Sequence, residues 1–331
     1  MHHPVCYNKL MQREEFTLKS QHDSLELGVS LRIPTGNPRG ILQLVHGMAE
    51  HRERYHNFMD YCAEQGFVVI IHDHRGHGAS VKSDDDFGYF GKDGVNGIIH
   101  DVHQVTDYIK QRFPELPLTL FGHSMGSLIV RCYMQEYDAD VDGLVVCGSP
   151  SKRVGAGVGK LIAKFLQAFY GGKHRSKFVN HLAFGGYNQQ SAKLARQNGQ
   201  AVDMAKHYPV LNSWVVSDPV VVAAYDADPR DGFTFTLNGF ENLFGLIQRA
   251  YRRKGWAMAN PGAPIFFISG ADDPCLISHK DFAKTVNFMR QRGYQNVTSK
   301  LYPGMRHEIL NEKSKQEVWR DVVDFITKSV L

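Results

Sequence analysis

The sequence lacks long hydrophobic runs, paired cysteines and a strong net charge, and each absence excludes a class of protein. No stretch of its 331 residues approaches the roughly 18 apolar residues of a membrane span. Its five cysteines, Cys6, Cys62, Cys132, Cys147 and Cys275, are odd in number and scattered. They make neither a disulfide framework nor a C-x-x-C metal pair, so a reducing compartment is expected. The net charge of +4 gives no reason to propose nucleic acid, although it tolerates an anionic membrane surface. Met1-His2-His3-Pro4-Val5-Cys6-Tyr7 carries no apolar core of a secretory signal, and His2 and His3 receive no role. A soluble, cytoplasmic protein is expected. Internal repeats and low-complexity segments are also missing.

What is present is a rhythm. Hydrophobic residues make up 43% of the chain and charged residues 22%, ordinary for a globular protein. Residues 16–19 and 25–33 alternate in polarity and read as antiparallel strands. Apolar, β-branched runs at 41–45, 68–71, 118–121, 144–147, 265–268 and 297–302 read as parallel core strands. Helical spacing recurs at 54–65, 95–112, 240–254, 279–292 and 314–330. Alternating strands and helices predict a mostly parallel sheet covered on both faces, with the first two strands as its antiparallel edge. The rhythm breaks between 151 and 232, too long an interval for a bare loop. Within it, Val158, Leu161, Ile162, Phe165, Leu166 and Phe169 recur at helical spacing, with Lys160 and Lys164 opposite. That stripe reads either as a core-facing helix or as a lid lining an acyl tunnel or touching a lipid surface. Residues 1–150 and 233–331 are therefore expected to form the core, and 151–232 an inserted helical cap.

The most informative stretch is Gly122-His123-Ser124-Met125-Gly126, set between an apolar strand and a buried helix. A serine on a sharp strand-to-helix turn is a nucleophile elbow, and the glycines remove side chains where strand and helix pass closely. A serine hydroxyl needs a base, and the base an orienting acid. The sequence offers both in the order this fold uses, each in the loop after a strand. Gly270-Ala271-Asp272-Asp273-Pro274 supplies the acid, and Pro303-Gly304-Met305-Arg306-His307 the base. Asp273 is favoured over Asp272 because it directly precedes the proline; the other acid should cap the turn or face solvent. Of 17 histidines, His307 stands out by its position after the last strand. The oxyanion hole needs two backbone N–H groups. Met125 supplies one, and Met48, in His46-Gly47-Met48-Ala49-Glu50-His51, the other. Cys275 reads either as a reactive thiol or as an inert buried cysteine.

Taken together, these motifs resemble the lysophospholipase and monoacylglycerol lipase branch of the α/β-hydrolases, which also includes the serine aminopeptidase-like hydrolases. Arg54-Tyr55, Asp73-His74-Arg75-Gly76-His77-Gly78-Ala79-Ser80 and the continuation Glu308-Ile309-Leu310-Asn311-Glu312 extend the likeness over nearly the whole chain. The resemblance implies an α/β-hydrolase fold, a mostly parallel eight-stranded sheet with helices on both faces and an inserted helical cap. It implies a Ser124–Asp273–His307 triad, an oxyanion hole at Met48 and Met125, and cleavage of monoacyl lipid esters through an acyl-enzyme. No metal and no organic cofactor is required. The partners expected are a small lipid ester and, transiently, a membrane surface met by the cap. The same residues admit an aminopeptidase or amidase, an acyltransferase, or a non-catalytic receptor that keeps the fold. Asp73, Arg75 and His77 are expected to hold the loop beneath the site.

Overall fold

The computed structural model describes residues 11–331, so His2, His3 and Cys6 lie outside the described residues. Eight strands form one sheet: β1 (Met11–Lys19), β2 (Glu26–Pro34), β3 (Gly40–Val45), β4 (Phe67–His72), β5 (Leu118–His123), β6 (Gly143–Cys147), β7 (Ile265–Gly270) and β8 (Val297–Tyr302). Their spatial order is β1-β2-β4-β3-β5-β6-β7-β8. β1–β2 and β2–β4 pair antiparallel, and every other neighbouring pair is parallel. The expected antiparallel edge is present.

The parallel strands β3 to β6 are buried along their whole length, which is why they read as continuous apolar runs. Among the polar residues on these strands, Gln43 on β3 is fully buried and satisfied. Its amide donates to Val102 O at 2.9 Å and accepts from the Thr106 hydroxyl at 2.8 Å. β1 lies at the edge, where alternate residues are exposed. There Glu14 forms two 2.6 Å bonds with Arg112, and charge of this kind discourages pairing with a further strand.

Helices cover both faces. On one face α1 (His56–Glu64) and α11 (Lys315–Ser329) enclose a core containing Phe58, Met59, Trp319 and Ile326. On the other, α2 (Gly94–Arg112), α3 (Met125–Tyr133), α9 (Leu237–Ala250) and α10 (His279–Arg292) enclose a larger one containing Ile98, Ile129, Phe240 and Phe282. Each fully buried side chain of this size contributes roughly 1.5–3 kcal/mol. The helix expected over 240–254 begins and ends earlier. Thr236 caps α9 by accepting from Gly239 N, and the helix gives out at Tyr251, before Arg252-Arg253-Lys254.

Residues 151–232 hold five helices and no strand: α4 (Ala156–Tyr170), α5 (Lys177–Phe184), α6 (Tyr187–Gln197), α7 (Met204–His207) and α8 (Pro219–Ala227). α4 packs on α9 through its small residues. A side chain at Gly159 would meet the Phe244 ring at 2.9 Å, and Ala156 and Ala163 are buried beside it. The stripe that could face the core mostly does not. Val158, Leu161, Phe165 and Phe169 are 62–70% exposed, while Ile162 and Leu166 are partly buried. Periodicity marks an apolar face but not the direction it looks, and here the small-residue face allows the closer approach to the core.

The sheet order also positions the site. From β3 the chain crosses to β4 on one side, whereas β5 lies on the other. A crevice opens at the carboxyl ends of strands where the order reverses in this way. The loop after β3 carries Met48, and the turn after β5 carries Ser124.

Candidate active site

At Ser124 the backbone has φ 53° and ψ −116°, a conformation that costs about 1–3 kcal/mol outside glycine. The surrounding structure holds it there. Ser124 N donates to Cys147 O at 2.9 Å, and Ser127 N donates to Ser124 O at 3.0 Å. Neither neighbouring glycine tolerates a side chain. A Cβ at Gly122 would sit 2.5 Å from Gly126 O, and one at Gly126 would sit 2.0 Å from Val45 O.

The structure brings Ser124, His307 and Asp273 together. His307 Nε2 is 2.7 Å from Ser124 Oγ, and His307 Nδ1 is 2.9 Å from Asp273 Oδ2. The acid fixes the tautomer: Nδ1–H donates to Asp273, leaving Nε2 to accept from the serine hydroxyl. Asp273 is fully buried and accepts further bonds from the Ser269 hydroxyl and Cys275 N, both at 2.8 Å. Burial pushes its carboxyl up, but His307 and these donors outweigh it and hold the group below its ordinary value. Asp273 also caps the short 3₁₀ turn Pro274–Leu276, the role assigned in the sequence to whichever acid did not meet the histidine. Asp272 neither caps nor faces solvent. It is 2% exposed, and its carboxylate takes 2.6 Å bonds from the amides of Asn198 and Gln200.

Met48 and Met125 line the same cavity as Ser124. Met125 is the first residue of α3, so its N–H has no intrahelical partner. Among the described residues, no acceptor takes the Met48 N–H. The next residue is held through both its backbone N–H and its backbone C=O. Ala49 N donates to His77 Nε2 at 3.2 Å, and Ala49 O accepts from the Tyr225 hydroxyl at 3.2 Å and Gly232 N at 2.9 Å. Ala49 itself has φ 51°. His77 thus supports this loop, as Asp73 does through Arg52 N at 2.7 Å and Ala79 N at 2.8 Å. Arg75 instead ties β1's far loop to α2, binding Asp23 and Asp101 at 2.8 Å.

Behind Ser124 lies a buried cluster that the motifs contain without revealing. Glu50 accepts from the Tyr55 hydroxyl at 2.9 Å and contacts His123 Nδ1 at 3.1 Å. Burial alone would lower the His123 imidazole, but the Glu50 carboxylate more than offsets this and raises it. Glu308, next to His307, is clamped by both terminal nitrogens of Arg54, at 2.8 and 2.5 Å. Nothing in the sequence pairs residues 254 positions apart.

Asp231 follows α8 with its side chain only 4% exposed, 3.5 Å from Arg54 and 3.7 Å from His51. Burial pushes its carboxyl up, Arg54 opposes this, and Glu50 and Glu308 add to it; the result is about 8 against an ordinary 3.8. An acid raised by folding contributes stability fully below its unfolded value and loses that contribution as the pH climbs to its folded value. Native stability should therefore fall between about pH 4 and pH 8 on this account. Asp231→Asn cannot ionise and escapes the loss. Its stability relative to wild type, read from urea melts, should rise by about 1–3 kcal/mol across that range. A pH-independent difference would contradict the assignment.

Ser124 and His307 border a cavity of about 960 Å³, within the range of small-molecule sites. Leu243, Phe244, Ile247, Phe184, Val158 and Leu182 line its apolar part. Cys275 lies 4.0 Å from His307 Nε2, but burial pushes its thiol well up, the opposite of an activated thiolate. Among the described residues, two groups offer three metal-ligand atoms within 4.8 Å of one another. In Asp273–Cys275–His307 the imidazole nitrogens are committed to Asp273 and Ser124. In His51–Asp228–Asp231 positive charge is already supplied by Arg230, 2.9 Å from Asp228, and by Arg54. Among the described residues no helix is long and apolar enough to cross a membrane.

Comparison with known proteins places this geometry in a family. The family model described as serine aminopeptidase, S33 matches residues 36–314. The chain is 28% identical over 298 residues to a monoacylglycerol lipase of Mycolicibacterium smegmatis, covering 88% of this chain and 90% of that one. It is 32% identical over 288 residues to the monoglyceride lipase of Mus musculus, covering 84% and 78%. A solved carboxyl esterase of Bacillus coagulans, in complex with glycerol, superposes with a TM-score of 0.84 at 27% identity, covering 97% of this chain and all of that one. The chain belongs to the serine aminopeptidase S33 family, in the monoacylglycerol lipase and lysophospholipase branch of the α/β-hydrolases, and is a serine hydrolase of lipid esters.

Proposed function

We propose that the chain cleaves the ester of a monoacyl lipid through an acyl-enzyme on Ser124. The observation that carries this reading is the unbroken path Asp273–His307–Ser124, with contacts of 2.9 and 2.7 Å, opening into one largely apolar cavity. His307 takes the Ser124 proton as Oγ attacks the ester carbonyl. The N–H groups of Met48 and Met125 donate to the oxyanion. Protonated His307 then gives its proton to the departing alcohol. Water, activated by the same imidazole, attacks the acyl-enzyme, and the collapse of the second oxyanion releases the acid and restores Ser124. Glycerol bound to the related Bacillus coagulans esterase supports a small polyol as the alcohol.

Residues 151–232 act in this reading as a cap. Its exposed face carries Val154, Val158, Leu161, Phe165 and Phe169, with Phe178 and Leu182 beside it. Isolated exposed apolar residues need no explanation, but a row of them along one helix, with the Phe165 and Phe169 rings 4.9 Å apart, does. Val154, Val158 and Leu182 also line the cavity, so a lipid surface meeting the patch would lie at its mouth.

Vesicle-bound monoacylglycerol tests both parts together. Wild type should release fatty acid and leave aminoacyl amides uncut. Phe165→Asp with Phe169→Asp should reduce vesicle hydrolysis at least tenfold while turnover of a short soluble ester persists. Preferential cleavage of aminoacyl amides would overturn the ester reading, and equal vesicle activity in the double variant would remove the surface contact.

A further inference from the structure

The acids of the cavity are spoken for, whereas two of its cations are not. Glu308 is clamped by Arg54, Glu50 binds Tyr55 and His123, and Asp281 takes the Ser278 hydroxyl at 2.6 Å and Lys284 at 2.7 Å. Lys152 and Arg153, adjacent on the segment after β6, also line the cavity. Among the described residues neither has a carboxylate within ion-pair distance. The Arg153 side chain makes one hydrogen bond, from Nη2 to the Tyr187 hydroxyl at 3.0 Å, with its guanidinium 5.3 Å from that ring's centre. Most of its five N–H donors are left for something else. A partly buried guanidinium without an anion is an unusual expense beside an apolar cavity, because its fork is built to grip a carboxylate or phosphate.

Its position says which part of a substrate it meets. Tyr187 packs edge-on to Trp214 at 4.8 Å, and Trp214 lies 5.1 Å from the His307 ring. Tyr187 also faces Cys275, which lies 4.0 Å from His307 Nε2. Nε2 is the atom that returns a proton to the leaving alcohol, so the alcohol lies on the His307 side. The acyl chain has the apolar side, by Leu243, Phe244 and Ile247. A second cavity of about 230 Å³ shares Arg153, Tyr187 and Ile277 with the first, adds Gly186, Gln190 and Pro274, and gives a head group room. The first turn of α4 begins three residues after Arg153, with Ala156 N donating back to Arg153 O at 3.2 Å, and the helix dipole adds positive potential at the same wall.

We propose that Arg153, assisted by Lys152, forms an anion subsite for a phosphorylated head group, so that the preferred substrates are monoacyl glycerophospholipids rather than neutral monoacylglycerols. This rests on the ester-hydrolase reading above and narrows its substrate class.

The test compares monoacylglycerol and lysophosphatidate of one acyl chain, in matched mixed micelles, with wild type, Arg153→Gln and Arg153→Lys. Arg153→Gln should lower kcat/KM for lysophosphatidate at least tenfold more than for monoacylglycerol, mainly through KM, as expected for loss of a charge-assisted bond. Arg153→Lys should recover part of the difference. A second arm measures inhibition of p-nitrophenyl butyrate hydrolysis by glycerol 3-phosphate, glycerol and inorganic phosphate. Glycerol 3-phosphate should inhibit most strongly in wild type and lose that advantage in Arg153→Gln. Equal losses on both lipids would overturn the subsite, and phosphate inhibiting as well as glycerol 3-phosphate would overturn the head-group assignment. If neither lipid is cleaved while the butyrate ester is, the lipid reading fails, and the inhibition arm still decides the subsite.

Discussion

Ser124→Ala is expected to lower ester turnover about a millionfold, the scale seen when a serine hydrolase loses its nucleophile. Without Oγ there is no acyl-enzyme, and what remains is whatever the oxyanion donors and binding do for attack by water. The variant should stay folded. Alanine keeps the Cβ that already fits the turn, and Ser124 N still donates to Cys147 O. The hydroxyl it loses faces His307 and the cavity rather than the core. Melting temperature and near-ultraviolet dichroism should therefore match wild type within a few degrees, corresponding to about 1 kcal/mol. Turnover within a hundredfold of wild type in a folded Ser124→Ala protein would remove the mechanism.

The second large effect separates two adjacent acids. Asp273→Asn is expected to cost about 10⁴-fold in kcat, because an amide at this position turns the imidazole toward the wrong tautomer and no longer stabilises its cation. Nδ1–H now donates to a carboxylate; beside an amide NH₂ that nitrogen would have to accept, and the proton moves to the atom that should receive the serine's. Asp272→Asn should change kcat less than tenfold. Its carboxylate joins Asn198 and Gln200 in the helical segment 151–232, so the variant should act on melting temperature. Assay of the two purified variants on one soluble ester settles the matter, and a larger kcat loss in Asp272→Asn would reverse the assignment.

The fold was largely legible because a parallel sheet buried on both faces needs continuous apolar strands, and those are visible one at a time in the sequence. Six of the eight strands lie where apolar runs lie, and the two edge strands where polarity alternates, although β1 begins five residues before the alternation expected at 16–19. Motifs at strand ends were legible too, since strand order brings the carboxyl ends to one edge. Three things were not. The outward face of α4 depends on Gly159 meeting Phe244, a contact between distant segments. The separate surroundings of Asp272 and Asp273 arise because adjacent residues on a turn point to different neighbours, one to Asn198 and the other to His307. The Arg54–Glu308 clamp and the buried Glu50–His123 contact join residues far apart in the chain, and no local pattern records them.

The central claim is that Ser124 is the activated nucleophile, and a fluorophosphonate reads it directly. Intact mass after labelling should show one adduct per chain, peptide mapping should place it on Ser124, and hydrolysis should disappear in proportion to labelling. Ser124→Ala, folded and at the same concentration, should take up none. A wild-type protein that hydrolyses lipid esters but carries no adduct, or carries it on another residue, would contradict the assignment.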